Sequence, residues 1–368
     1  MWYKIKPLDT LFFRDGRPFS MGSETWANPI FPPYPSTIYG AIRSWLIFER
    51  GNLKEFKNGK YKEEIGTTNE KGKLKIKGPF ISLKDNLYFP VPLDFLKKKD
   101  AKESEKSNLF YINFETTPEI LISDYPLQNI LINKGDFEVE ECNEIFDINC
   151  LKNYLQYTGQ KIDFKEKKGL IFYEKKTGIT RSRKTLVSEE GHIYRIPMIR
   201  LKKNLSLCIE IEGLNSYPEG GLIQIGGEGK IAKIEKIKNA DPLKILRNSN
   251  FKLIDKLFKI YLATPAIFTK GWLPHWINEE NLEGEFNGIK LKLISCSIGK
   301  FNLIGGWDLA NKKPKAMYKA VPAGSVYYFK ILDDKTAEAI KETFHLKNIS
   351  DKNPEEGFGL IFIGEVRK

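Results

Sequence analysis

The sequence predicts an α+β fold of two β-α-β-β-α-β units, and three observations lead there. Apolar and polar residues alternate along Trp2–Leu8, Leu205–Gly213 and Lys230–Ile237, the period of half-buried strands. Ile38, Ala41, Ile42, Trp45 and Leu46 recur at i, i+3, i+4, i+7 and i+8, the stripe of an amphipathic helix. The pattern then restarts in the second half. Each half opens on a strand and closes on a glycine-rich turn that feeds a strand, an architectural symmetry without a sequence repeat.

After the opening strand, Asp15-Gly16 marks a turn that presents Arg14 and Arg17 on a loop. Residues 20–35 carry no period and are rich in Gly, Pro and Asn, a long loop of the kind that carries function. The helix follows, with Ser36 read as N-cap, Gly51 as terminator, and Arg43 off the apolar stripe and facing outward. Residues 52–175 read as an irregular insertion with a short helix near Ile148–Tyr157. Gly178–Thr185 is a basic, hydroxyl-rich loop, and a strand starts at Gly191. Residues 241–255 form a linker. Beyond it, strands are expected at Leu257–Phe268, Val326–Leu332 and Leu360–Val366, a hairpin around Gly299 from Leu291–Ser297 and Lys300–Ile304, and a helix over Thr336–Phe344. The expected domains are 1–240, carrying the insertion, and 256–368. Their element order is ferredoxin-like, as in the RRM sheets that bind RNA.

Composition narrows the function. With 368 residues, 41 % hydrophobic and 29 % charged, the chain can build real cores, which argues against wholesale disorder. Its apolar runs are too short to span a bilayer, and no apolar stretch follows the N-terminus. The four cysteines form no CxxC pair, which suits a reducing cytoplasm and gives no zinc signature. Lys and Arg outnumber Asp and Glu by 59 to 47, a net +12 that asks for a polyanionic partner. Without a basic amphipathic helix or lipidation motif, nucleic acid leads over a membrane.

Arginine is used sparingly. Of ten, four fall in 14–50 (Arg14, Arg17, Arg43, Arg50) and four in 181–200 (Arg181, Arg183, Arg195, Arg200). Clustering of a scarce residue suggests that its planar, bidentate fork is needed there. Ion pairing on the surface is the plainer alternative. Gly226-Gly227-Glu228-Gly229-Lys230 matches a loose dinucleotide fingerprint, but a period-2 strand follows where that motif needs a helix. A turn that admits a nucleic-acid backbone fits better. The three histidines, His192, His275 and His345, form no pair, and His192 is the best placed for general acid–base chemistry.

The motifs carry a resemblance. Leu11-Phe12-Phe13-Arg14-Asp15-Gly16-Arg17-Pro18-Phe19 and Phe31-Pro32-Pro33-x-Pro35-Ser36-Thr37-x-Tyr39-Gly40-Ala41-x-Arg43 resemble the third-subunit family of the Cmr complex, the type III-B CRISPR effector, within the RAMP superfamily. Gly178–Arg181, Gly226–Lys230, Gly306-Trp307-Asp308, Pro314-Lys315, Val321–Tyr327 and Gly357-Phe358-Gly359 match in the same order, whereas 52–175 matches little. The resemblance implies a non-catalytic subunit with no cofactor that grips the 5′ tag of the guide RNA. It would dock the large polymerase/cyclase-like subunit and the first backbone RAMP subunit. Arg14 and Arg17 would lie against the RNA, Ser36 and Thr37 would bind a phosphate with Arg43 beside them, and Arg181, Arg183 and Lys184 would clamp the tag. Gly226, Gly227, Gly229 and Lys230 would form the close-approach loop. Local alternatives stand beside each: an Asp15 ion pair for the arginines of the first loop, a plain helix cap for Ser36 and Thr37, a helix-surface ion pair with Glu49 or another acid for Arg43, a disordered basic loop for Arg181, Arg183 and Lys184, and a simple turn for the glycines. The competing function is a metal-independent guide-processing endonuclease using His192. Trp307 and Val321–Tyr327 are read as structure or protein interface.

Overall fold

The computed structural model describes residues 1–17, 28–99, 109–111, 113–118, 126–127, 129–133, 135–142, 144–157, 167, 169–182, 184–185, 187–308 and 312–366. It is a mixed α+β structure whose sheets pair antiparallel. Two compact units interleave along the chain: Met1–Lys84, Lys168–Ala240 and Leu303–Tyr318 form one, and Asp85–Lys167, Asp241–Asn302 and Lys319–Lys368 the other. This grouping differs from the contiguous division 1–240 and 256–368, because strands distant in sequence pair with one another.

In the first unit the strands run Gly220–Gln224, Ile231–Lys236, Trp2–Pro7, Leu205–Glu212, Lys75–Leu83 across the sheet. Tyr3 pairs with Ile209 on one side and Lys236 on the other. The alternation read at 231–236 is present, with Ala232 and Ile234 buried and Ile231 and Lys233 exposed. Leu205–Glu212 departs from it: nearly every residue is buried, including Ser206 and Cys208 between the expected Leu207, Ile209 and Ile211. The helix Pro35–Arg50 lays Ile38, Ala41, Ile42, Trp45 and Leu46 into the core, and the Gly51 N–H closes it on the Ile47 carbonyl. Residues 52–175 are far from uniformly irregular. Lys75–Leu83 is a buried strand of this sheet, and Ile148–Gln156 is a helix that the Asp147 carboxylate caps through two 2.8 Å hydrogen bonds.

In the second unit the order is Glu283–Phe286, Ile289–Ser297, Val326–Ile331, Leu257–Leu262, Ile361–Glu365. Ile289–Ser297 pairs with 283–286 and 326–331 rather than with Lys300–Ile304, so the expected hairpin around Gly299 is replaced by one around Gly288. The helix Ala337–Phe344 buries Ile340 and Phe344, and the Thr336 hydroxyl caps it. His345 does not serve as a helix-end cation. It is buried, with Nε2 3.0 Å from the Leu246 carbonyl and Nδ1 accepting from the Ile363 N–H. That pattern needs a neutral ring, and burial pushes its pKa down to about 4.

At the centre of this unit Asp94 is fully buried and accepts from the hydroxyls of Tyr154 (2.6 Å) and Tyr328 (2.5 Å). The Lys259 Nζ, also fully buried, lies 3.5 Å from the Tyr154 ring centroid and 4.7 Å from that of Tyr157. Burial raises the Asp94 pKa and lowers that of Lys259 to about 7, each against the attraction of the other.

Two outcomes follow. Asp94→Ala removes the acceptor of both tyrosines and takes from the buried Lys259 the larger of the two carboxylate charges that act on it, Glu365 being the other, so it should cost about 3–5 kcal/mol in urea unfolding. A cost under about 1 kcal/mol would contradict this account. Because the folded pKa of His345 lies below its unfolded value near 6.5, stability should decline as pH falls from about 6.5 to 4. His345→Gln should flatten that slope in denaturation midpoints measured across the window.

Candidate nucleic-acid interface

The opening loop organises one end of the first unit. Leu11 exchanges two backbone hydrogen bonds of 2.7 Å with Ile199, which anchors a long ribbon, Ile171–Arg181 paired with Ser188–Leu201. Phe12 packs with Ile196 and Met198 of that ribbon. On the other side the Phe12 carbonyl accepts the Gly227 N–H at 3.0 Å. A Cβ on Gly226 would lie 2.4 Å from the same carbonyl and 2.8 Å from the Phe13 ring, and the residue has φ +71°. The space beside Gly226 and Gly227 is therefore filled by the chain's own Phe12 and Phe13. Gly229, at φ +61°, faces open space.

The two arginines of the first loop sit next to this junction. Arg14 is exposed, and its Nη1 donates to the Arg17 carbonyl at 2.9 Å. Arg17 pairs with Asp15 at 3.2 Å, the local alternative foreseen for it, while staying 55 % exposed. The turn is held from behind, where the Gly16 N–H donates to Leu303 O at 3.1 Å. Tyr34, at the start of the helix, is within electrostatic reach: its pKa is pushed up to about 12, chiefly by burial, with Asp15 adding and Arg17 opposing.

The helix start differs from the reading. Tyr34, not Ser36, is the N-cap, and Pro35 takes the first helical position, where its fixed φ suits the helix and its missing N–H costs nothing. Ser36 and Thr37 are the next two residues, and the Thr37 N–H already donates to Tyr34 O at 3.0 Å. Arg43 does not face outward. It is half-buried, donating from Nε to Ile65 O at 3.0 Å and from Nη2 to Thr67 O, with its guanidinium 5.3 Å from the Phe56 ring centroid. Its partners are carbonyls of the covering segment rather than Glu49. Arg50 is likewise structural, bound to Glu64 at 2.8 Å.

The second basic cluster lies elsewhere. Gly178–Arg181 belong to a strand, so the loop begins only at Ser182. Arg181 ends that strand, Lys184 is exposed in the turn, and Arg183 lies outside the described residues. The ladder from Tyr173↔Ile199 to Arg181↔Ser188 puts this turn about 25 Å along the ribbon from the Leu11 junction. The structure thus joins the Arg14–Arg17 loop, the helix start and the glycine loop, and holds Arg181 and Lys184 at the ribbon's far end. His192 lies in the second strand of the ribbon.

Acidic residues that the sequence reading passed over occupy this surface. Arg200 binds Glu174 and, at 3.2 Å, Asp9, while Lys230 reaches Asp9 at 3.4 Å and Lys176 reaches Glu228 at 3.4 Å. Asp9 is held below the usual carboxylate range, first by the Thr10 backbone N–H and then by Lys230 and Arg200. The spacing of Glu174 and Lys176 on one strand face was the available signal. Among the described residues no helix is long and apolar enough to cross a membrane, and no group of three His, Cys, Asp or Glu could hold a metal ion.

The family model of the CRISPR-associated protein Cas_Cmr3 matches residues 3–366. The chain belongs to the Cas_Cmr3 family. The resemblance carried by the opening motifs is therefore correct. The CRISPR system CMR subunit Cmr3 of Saccharolobus solfataricus is 24 % identical over 336 residues, covering 89 % of this chain and 86 % of the relative. Two cryo-EM structures of the type III-B Cmr-beta complex bound to cognate target RNA, one also with AMPPnP, contain a chain of similar fold. Each gives a TM-score of 0.51 at 18 % identity; coverage is 89 % of this chain and 86 % of the other with AMPPnP, and 98 % and 96 % without it. That likeness is one of fold.

The junction makes a testable distinction between glycines of this Cas_Cmr3 chain. Gly226→Ala meets both a positive φ and the Phe12 carbonyl, so it should lower the unfolding free energy from urea titrations by about 2 kcal/mol or more. Gly229→Ala meets only the φ penalty, about 1 kcal/mol. Equal effects would mean that Phe12 does not depend on the glycine loop.

Proposed function

We propose that this chain is a non-catalytic, RNA-binding subunit of a type III-B CRISPR effector that holds the 5′ tag of the guide RNA. In the same assembly it joins the large polymerase/cyclase-like subunit to the first backbone RAMP subunit. Family membership supports the setting. The observation that carries the RNA reading is the junction itself: one loop brings Arg14, Arg17 and the helix start to the glycine loop and the base of a basic ribbon. The strand orders of both units also fit ferredoxin-like units, each with an added edge strand or a loop in place of one helix.

In this reading Arg14 and Arg17 meet the tag as bidentate donors. Asp15, only 16 % exposed, holds Arg17 from one side and leaves the rest of its guanidinium, 55 % exposed, open to a phosphate. Ser36 and Thr37 offer the positive end of a 16-residue helix. The second basic cluster, Arg181, Arg183 and Lys184, takes the tag backbone as a separate contact, while Arg43, Gly226 and Gly227 act by fixing the loops that carry the contacts. Lys230 exchanges Asp9 for a phosphate. The function is positioning, with no cofactor and no chemistry on the RNA.

The test combines binding and integrity. The protein, alone and with its large-subunit partner, is mixed with labelled guide RNA, tagged or tag-less, at two salt concentrations. Tag-dependent binding of intact RNA should weaken steeply with salt, and Arg14→Ala or Lys184→Ala should each reduce the log–log salt slope by about 0.7. Metal-independent cleavage abolished by His192→Ala would overturn the reading in favour of an endonuclease. Tag-blind or absent binding with the partner present would leave a protein scaffold.

A further inference from the structure

Next to the Arg14–Arg17 turn lies a short hairpin that the proposed tag contacts do not use, and whose Trp307 the sequence suggests as structure or protein interface. Trp307 pairs with Pro314 and Asp308 with Lys313, and the Lys315 N–H donates to Gly306 O at 3.0 Å. This hairpin follows directly on the segment that holds the turn. Besides the Gly16–Leu303 hydrogen bond, a Cβ on Gly16 would fall 2.9 Å from Gly305 N, so two glycine backbones are in direct contact there. Trp307 is therefore two residues along the chain from a glycine that touches the arginine turn.

Two features of the hairpin ask for a ligand. Trp307 is 55 % exposed, whereas Trp2 and Trp45 are buried and Trp272 and Trp276 pack against a core. An indole so open to water on a two-residue ladder serves neither that ladder nor a core. Lys312, Lys313 and Lys315 are all exposed, and among the described residues none of the three makes an ion pair. This contrasts with Arg17, Arg50, Arg200 and Lys230, each of which holds a carboxylate.

We propose that Trp307 is a stacking platform for one unpaired base of a single-stranded nucleic acid. Lys313 and Lys315 flank Pro314, the residue paired with Trp307, and leave the ladder on the face away from the indole, so they take phosphates where the strand passes round the hairpin's edge. An aromatic face accepts any base, and cations beside it track the backbone, the combination used wherever single strands are held without reading their edges. The platform adds affinity at a point next to the arginine turn without sequence preference. This inference rests on the RNA-binding reading.

The experiment uses the full chain and a fluorescently labelled single-stranded RNA carrying the tag sequence, with a scrambled RNA of equal length. Anisotropy titrations compare the wild type with Trp307→Ala, Trp307→Phe and the double variant Lys313→Ala/Lys315→Ala. Trp307→Ala should weaken both RNAs by roughly five- to a hundredfold with the salt slope unchanged, and Trp307→Phe should restore most of the loss. The double lysine variant should reduce the slope by about 1.4. If the wild type binds in a salt-sensitive manner and Trp307→Ala binds equally well, the platform is wrong while the RNA reading stands. If Trp307→Ala instead loses the large subunit on co-purification and keeps its RNA affinity, Trp307 is a protein contact and the platform is again wrong. If the wild type binds neither RNA, even with its partner present, the RNA reading fails and the platform with it.

Discussion

The reciprocal hydrogen bonding of Leu11 and Ile199 is the constraint on which the candidate interface depends. It fixes the base of the ribbon against the opening loop, and it leaves Phe12 and Phe13 facing the glycine loop. Backbone pairing of this kind sets position through geometry rather than side-chain identity, so the loop can carry polar, exposed residues without losing its place. Phe12 then acts as a wedge between two elements that share no sequence neighbourhood. The glycines at 226 and 227 are the complement of that wedge: they leave room for a carbonyl and two rings where a Cβ would collide.

The second unit is organised by a polar centre instead. Removing Asp94 and Lys259 from water costs several kcal/mol per ion, and the tyrosine hydroxyls and aromatic faces around them restore only part of it. Such a centre is a poor source of stability. Its geometry is demanding, however: each tyrosine must sit where its hydroxyl reaches one carboxylate oxygen, which ties the helix Ile148–Gln156 and the strand Val326–Ile331 to one arrangement. Asp94 and Tyr154 lie within residues 52–175, so the segment that looked least regular supplies the centre's acid and one of its hydroxyls.

The legible parts of the chain were those where a local period reports burial. The helix at 35–50 and the strands at 2–7 and 231–236 obey that rule, because one face meets a core and the other meets water. The ribbon was misread because Phe172, Tyr173 and Ile179 are exposed while Ile196, Met198 and Ile199 are consecutive or nearly so and buried, which erases the alternation. The insertion was misread because Lys75–Leu83 is buried on both faces, which hides any alternation, and its ladder partner is a strand more than a hundred residues away. Arg14 and Arg17 were singled out by their scarcity and their turn, and the structure places both on the exposed opening loop. Arg43 was misassigned because carbonyl oxygens carry no residue identity, so no sequence pattern announces them as partners. The acids of the Arg200 network were missed because their roles depend on which strands lie side by side.

The pairing of the first strand has a consequence for how the chain is made. Tyr3 bonds to neighbours at 209 and 236, and Phe12 waits for Gly227. At about 5–20 residues per second, the N-terminal strand and its loop therefore remain without their partners for roughly ten to forty seconds of synthesis. Contacts this remote in sequence close late, after the entropy of a very long loop has been lost. Meanwhile a strand bearing Trp2, Tyr3 and Ile5 is exposed on the nascent chain.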